Sequence, residues 1–384
     1  MRVLYLNPFS QEVSGPDESL RTLLGALIPR GLEAHIVLPA RGPQVPRYEA
    51  LGARVHIAPL AVLRRSLTLG AVAYPVRLAR ATAAIAGLAR TIGADLIHTN
   101  MEVLLEGGLA ARALRMPHVL HYRGNTLDEP KWVFDALVAI WTATADQVFC
   151  ISDGTADIFR RRRRDRKVEA IHNPIDLTRF APGPFAPDVR AALGAEPGDR
   201  LIGTVGRIHP RKDLETFVRA AARIAAEVPR SRFVIVGAAE ADSELAYRET
   251  ITALARELRL TDRLTFAGAR RDIEDVMRAL DVFVLTSRHE GFGRVVAEAM
   301  ATGRPLVVTD EGAPPALVGH GRFGLCAPAG DDAAFARQVT ALLADEAGTA
   351  ARASLAVEAA RAFGSEAIAD RVWACYRRLL GDRA

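Results

Sequence analysis

A short apolar run, a polar turn bearing glycine and then an amphipathic helix recur along this chain, and that unit limits the fold more than any other feature. Its clearest copy starts at Val282-Phe-Val-Leu285, a β-branched run read as a buried strand. A polar turn follows over 286–293. Val295, Val296, Ala299 and Met300 then fall at helical spacing, so a helix is expected to begin near Gly293. Further strands are expected over 3–6, 34–38, 54–57, 95–98, 118–122, 147–150 and 168–171. A second series covers 200–205, 232–236, 263–266 and 305–308, and helical patterns such as Leu20, Leu23, Leu24 and Leu27 lie between strands. Alternation of this kind calls for parallel, doubly wound α/β sheets, which bind ligands outside the carboxyl ends of their strands. The first turn, 7–15, lacks Gly-x-Gly-x-x-Gly, so no tightly held dinucleotide is expected there.

The turn before the 294–300 helix has a definite chemistry. The first turn of a helix carries unpaired N–H groups and about half a positive charge. Phe292 and Gly293 are expected to supply those amides, and Gly291 and Gly293 to let a ligand approach the backbone. Glu290 stands at the lip of the turn, and Glu298 follows eight positions later. A glycine turn opening a helix suits a phosphate, and two carboxylates suit hydroxyl groups; a sugar diphosphate offers both. Taken alone, the same glutamates also read as a solvated loop residue and a surface helix charge.

Glu290-Gly-Phe-Gly, an apolar helix and Glu298 together resemble the signature of glycosyltransferase family 4, the large retaining group with the GT-B fold. The resemblance extends over most of the chain, weakly at the N-terminal end and well over about 205–330. It implies two Rossmann-like domains facing a cleft: an acceptor domain over 1–178, a linker over 179–198, a nucleotide-sugar domain over 199–364, and a closing helix over 365–384 that returns to the first domain. Gly206-Arg-Ile-His-Pro-Arg-Lys-Asp213 resembles the family's Gly-Arg-x-x-x-x-Lys-Gly, so Arg207 and Lys212 match its two cations, which would neutralise a departing diphosphate. Asp213 replaces the common Gly there. Gly268-Ala-Arg270 resembles the loop that cradles the base, and Phe323-Gly-Leu-Cys-Ala-Pro-Ala-Gly-Asp331 a familiar marker of the fold. In 309–316 the chain departs from the pattern, with Ala313 for the usual Gly and Ala316 for the usual Glu. In the first half, Ser14-Gly15-Pro16 resembles the small-residue loop near the acceptor and donor phosphates, and is equally an ordinary capped turn. His121 matches a cleft residue near the transferred sugar, with a structural hydrogen bond as the alternative, and His98 and Asn100 are weaker candidates of the same kind. Asn173-Pro-Ile-Asp176 resembles the turn that ends the first domain.

The resemblance implies a retaining transfer from a nucleotide-diphosphate sugar to a hydroxyl acceptor, in polysaccharide, glycolipid or other glycoconjugate synthesis. No cofactor besides the donor and no metal is expected. A nucleotide-sugar epimerase and a non-catalytic glycan-assembly subunit are the other readings: incubation with donor alone separates the epimerase, and cellular glycan unchanged by Glu290→Ala and Lys212→Ala would favour the subunit.

Composition fits this reading. Of 384 residues, 49% are hydrophobic, enough for more than one core, and the net charge of +5 suits phosphate ligands without requiring them. Cys150, Cys326 and Cys375 lie far apart and form no metal-ligand spacing, so a reducing, cytoplasmic setting is expected. Met1-Arg2 runs straight into a strand, leaving no room for a signal peptide, and no apolar run is long enough to span a bilayer. The basic run Arg160 to Arg164, with Arg166 and Lys167, lacks interleaved aromatics and gives no nucleic-acid expectation. Arg64, Arg65, Arg77, Arg80 and Arg90 punctuate an Ala- and Leu-rich stretch that is either an ordinary outer helix or a peripheral contact with an anionic membrane. Ile368, Val372, Trp373, Tyr376 and Leu379 recur at helical spacing, with Trp373 and Tyr376 expected to pack rather than bind.

Overall fold

The computed structural model describes residues 1–11, 14–63, 70–124, 130–163 and 167–381. Arg64, Arg65, Arg164 and Arg166 lie outside the described residues. The chain divides into two units, Met1–Pro174 with Ser365–Ala384, and Ile175–Gly364.

The first unit is built on seven parallel strands: β1 (Arg2–Leu6), β2 (Glu33–Leu38), β3 (Arg54–Ile57), β4 (Leu96–Thr99), β5 (His118–Tyr122), β6 (Gln147–Cys150) and β7 (Val168–Ala170). Their order is β3-β2-β1-β4-β5-β6-β7, so the winding reverses between β1 and β4. The second unit carries β8 (Arg200–Val205), β9 (Ser231–Val236), β10 (Leu264–Gly268), β11 (Val282–Leu285), β12 (Leu306–Thr309) and β13 (Leu325–Ala327). These too are parallel, in the order β10-β9-β8-β11-β12-β13, with reversal between β8 and β11. Every residue of β4, β5, β6, β11 and β12 is buried, as expected for strands covered by helices on both faces. β13 has no counterpart among the expected strands; three residues between a 3₁₀ turn and a loop are too few to show a period.

The helix Ser365–Leu380 belongs to the first unit, where Ile368, Val372 and Tyr376 are buried in the core formed by β1, β2 and the helix Gly15–Leu27. Its Tyr376 hydroxyl lies 3.1 Å from the Tyr5 hydroxyl. The stretch 179–198, expected as a linker, is packed instead. Phe180, Val189 and Leu193 are buried, and the Arg190 guanidinium donates to the Ala279 carbonyl at 2.8 Å and to Asp281 at 3.1 Å. Prolines and glycines break regular structure there, but the apolar side chains between them are still buried. Among the described residues no helix is long and apolar enough to cross a membrane.

Burial of three imidazoles makes the first unit sensitive to acid. His118 Nδ1 donates to the Thr144 carbonyl at 3.0 Å, which leaves Nε2 to accept from Thr99 Oγ1 at 2.9 Å. Burial pushes the His118 pKa down to about 4, and holds those of His98 and His121 well below the ordinary imidazole value. A neutral buried imidazole binds fewer protons than the same group in the unfolded chain, so stability is fully present above the ordinary value of 6.5 and is lost as pH falls toward the folded value. All three tryptophans, Trp132, Trp141 and Trp373, lie in this unit, so their fluorescence reports on it selectively. Urea unfolding followed this way is expected to lose about 1 kcal/mol or more per pH unit between pH 6.5 and 4.5, and a flat profile across that window would refute the assignment.

Candidate functional site

Two turns at the carboxyl ends of β8 and β11, neighbours at the reversal of the second sheet, are tied together by side chain and backbone. After β8 the chain passes Gly206 and Arg207, makes a 3₁₀ turn over Pro210–Lys212, and enters the helix Leu214–Glu227. Asp213 occupies the left-handed region at φ 46°, which explains why Gly is usual at this position; Asp is among the few other residues that visit it. Its carboxylate accepts from Thr216 Oγ1 at 2.9 Å.

From the other turn, Thr286 Oγ1 donates to the Lys212 carbonyl at 2.9 Å and to that of Asp213 at 3.0 Å, while the Arg288 amide donates to the Arg211 carbonyl at 3.0 Å. With the backbones so fixed, Lys212 Nζ donates to Glu290 Oε1. The same carboxylate oxygen accepts from Ser287 Oγ at 2.9 Å. The Lys212 stem runs over Gly206, where an added Cβ would come within 3.3 Å of Lys212 Cε. A part-buried cation and carboxylate thus face each other at the switch point, where this type of sheet takes its ligands.

Not every expected residue joins them. The Arg207 side chain is 65% exposed, and its Nη1 lies 3.6 Å from Glu244 Oε1. Burial opposes ionisation of Glu244, but the backbone amides of Glu240 and Ala241, with Arg207, outweigh it and hold the carboxyl below the usual range. The helix begins at Arg294 with Gly293 as its N-cap, so the amides without a partner inside the helix belong to Gly293, Arg294 and Val295. Phe292 sits one residue outside, its ring buried at 5.7 Å from Phe363; the expected amide assignment shifts by one residue, because the aromatic side chain anchors the turn in the core. Gly291 lies between Phe292 and Glu290 and is part-buried. Glu298 is buried and accepts from Arg294 Nε at 2.8 Å, one helical turn away. Arg270, beyond β10, pairs with Asp272, Nε to Oδ1 at 3.0 Å.

Gly15 and His121 belong to the first unit. Gly15 is exposed and opens the helix Gly15–Leu27, and an added Cβ would meet nothing within 4 Å. His121 is only 1% exposed, with ring centroids 5.7 Å from His98 and 5.8 Å from Phe149. Neither of its ring nitrogens has a hydrogen-bond partner among the described residues. It therefore lies inside an aromatic layer rather than at an open strand end, because β5 is covered on both faces along its whole length.

Two supporting glycines were not singled out by motif. Gly237 follows β9 at φ 153°, where an added Cβ would stand 1.8 Å from the Gly206 carbonyl oxygen. Gly312, at φ 78°, comes so close to Glu290 that a Cβ would lie 2.3 Å from its carbonyl oxygen, while the neighbouring Ala313 amide donates to that oxygen at 2.9 Å. The turn that departs from the family pattern thus still braces Glu290, through its backbone. Gly330 has a similar φ, 82°, but open space around it. Gly330→Ala is expected to cost roughly 1–2 kcal/mol from backbone strain alone. Gly312→Ala should cost clearly more in calorimetric unfolding, and equal losses would show that the brace yields freely.

Comparison with known proteins places this geometry. The family description "Glycosyltransferase Family 4" matches residues 13–179, and "Glycosyl transferases group 1" matches residues 199–345. The chain is 32% identical over 244 residues to the D-inositol 3-phosphate glycosyltransferase of Mycobacterium marinum, covering 62% of this chain and 51% of that one. It is 34% identical over 213 residues to the lipopolysaccharide core biosynthesis mannosyltransferase LpcC of Rhizobium leguminosarum bv. viciae, covering 55% and 60%. The chain spans about half the length of the curated relatives it matches. In fold it is similar to Anabaena HepE solved in complex with UDP, with a TM-score of 0.83, 25% identity, and coverage of 98% of this chain and 100% of the other. Two parallel α/β units of this topology, matched in turn by the two descriptions, make this chain a member of glycosyltransferase family 4, with the GT-B fold.

Proposed function

We propose that this protein transfers a sugar from a nucleoside-diphosphate donor, with UDP as the favoured nucleotide, to a hydroxyl acceptor in glycoconjugate synthesis. The observation that carries this reading is the Lys212–Glu290 pair at the switch point, beside the mouth of the helix Arg294–Ala301. The likeness to HepE bound to UDP, and to UDP-glucose in a further structure, supports the choice of nucleotide.

In this reading the second unit holds the donor. Lys212 Nζ leaves Glu290 for a diphosphate oxygen, and Arg207 turns from its loose partner Glu244 to the same group. The amides of Gly293, Arg294 and Val295 add donors at the helix mouth. Gly206, Gly268 and Arg270 border the nucleotide, Gly291 and Phe292 shape the turn, and Glu298 receives the ribose hydroxyls. Glu290 orients the sugar. The first unit takes the acceptor, with Gly15 at its binding turn and His121 beneath.

The reaction is retaining. The acceptor oxygen forms its bond to the anomeric carbon on the face from which the diphosphate departs, the carbon–oxygen bond to phosphate breaks, and the acceptor proton passes to the departing phosphate oxygen. Charge grows on that phosphate as the bond breaks, so fixed cations act more strongly on the transition state than on the bound donor. Arg207 and Lys212 supply the neutralisation that a bridging metal supplies elsewhere. For the first unit we propose peripheral contact with an anionic membrane, supported by Arg77, Arg80 and Arg90, all exposed on the helix Gly70–Ile92 beside Val76.

Thermal unfolding with UDP-, GDP- and ADP-sugars at saturating concentration tests the donor. UDP-sugars are expected to raise the midpoint selectively, and stabilisation by none of the three would sink the reading. Lys212→Ala should lower transfer from labelled donor by about 100-fold or more, while release or epimerisation of donor sugar without an acceptor would point to a different activity. Pelleting with phosphatidylglycerol vesicles should fall on Arg77→Glu with Arg80→Glu, and binding unaffected by that change would remove the membrane contact.

A further inference from the structure

The first unit holds a row of buried polar side chains that the transfer reading leaves unused. Asn7 follows β1 directly, Asn100 follows β4 and Arg123 follows β5, while Asn173 lies at the end of the unit; all four are at most 8% exposed. A guanidinium keeps its charge when buried, so it persists only with its donors paired. Arg123 Nη2 donates to Asn100 Oδ1 at 2.6 Å, Nε to the Asn100 carbonyl at 3.2 Å, and Nη1 to Asn173 Oδ1. Its backbone amide donates to Glu102 Oε2 at 2.8 Å.

The row continues in one direction. Asn100 Nδ2 donates to Asn7 Oδ1 at 3.2 Å, and Asn7 Nδ2 donates to Asp17 Oδ1 at 2.7 Å. The other Asp17 oxygen accepts from the Ser14 amide at 2.9 Å and from Ser14 Oγ at 2.6 Å. Each amide thus turns its oxygen toward the cation and its nitrogen toward the carboxylate, and donors aligned head to tail polarise one another. One end of the row fixes the Ser14–Gly15 turn. The other fixes Asn173, one residue before Pro174, where the chain leaves the first unit.

We propose that the row Ser14–Asp17–Asn7–Asn100–Arg123–Asn173 is a positioning relay that sets the Ser14–Gly15 turn according to the state of the segment at Asn173. Arg123 is its central positioning residue. The role of that turn in acceptor binding rests on the proposed function; the mechanical link does not.

Hydrogen exchange of residues 14–20, read by mass spectrometry, tests the link without any activity. Asn173→Ala, cut at the far end, should speed exchange there about tenfold, as should Asp17→Asn at the near end. The double variant should exchange no faster than the quicker single one, because both changes break the same row. UDP affinity by calorimetry and the exchange of residues 231–236 should stay within twofold of the parent, which separates a local release from general loosening. Unchanged exchange at residues 14–20 in Asn173→Ala, or a double variant showing the product of the single effects, would overturn the relay. Failure of the parent protein to bind UDP would count against the donor assignment, and the exchange result would still decide the relay.

Discussion

The Lys212–Glu290 pair depends on strand order before it depends on either side chain. Lysine and glutamate stand 78 positions apart in the chain and meet only because β8 and β11 are neighbours in the second sheet. Once those strands pair, Thr286 and Arg288 lock the two turns edge to edge, and the 25% and 17% exposed side chains face each other across a short gap. An unpaired ammonium or carboxylate at that depth would carry a desolvation cost, so each holds the other in place. In the proposed reaction an incoming diphosphate takes over the lysine, and the carboxylate is freed for hydroxyl groups.

The two sheets share a winding but end differently. In the second unit β8, β9 and β10 are followed or closed by Gly206, Gly237 and Gly268, where hydrogen bonds run from the Gly206 amide to Val236 and from the Gly237 amide to Gly268. The backbones of Gly206 and Gly237 pack directly on each other there, and the Lys212 stem crosses Gly206. In the first unit β1, β4 and β5 end in Asn7, Asn100 and Arg123, and their side chains fill the same edge. One edge ends in glycine backbone; the other ends in a paired polar network.

Much of the fold could be read without coordinates. Twelve strands declared themselves through β-branched runs bounded by glycine or polar turns, and the helix after Glu290 through the spacing of Val295, Val296, Ala299 and Met300. β13 escaped because three residues show no period, and the packed course of 179–198 escaped because prolines mask apolar residues that have a tertiary partner. Of the site, Lys212 and Glu290 were legible from their motifs. The pairing of Arg207 with Glu244, the burial of His121, and the bracing of Glu290 by Gly312 were not, since each depends on a neighbour distant in sequence.

By itself, then, the sequence determined the alternation of strand and helix, the parallel class of sheet, and the residue types gathered at the strand ends, because these follow from local periodicity and turn chemistry. Only the tertiary structure decided which strand ends stand side by side, which cation reaches which carboxylate, and where an asparagine row replaces a glycine floor. Those outcomes rest on contacts between segments far apart in the chain, and no local pattern encodes the distance between them.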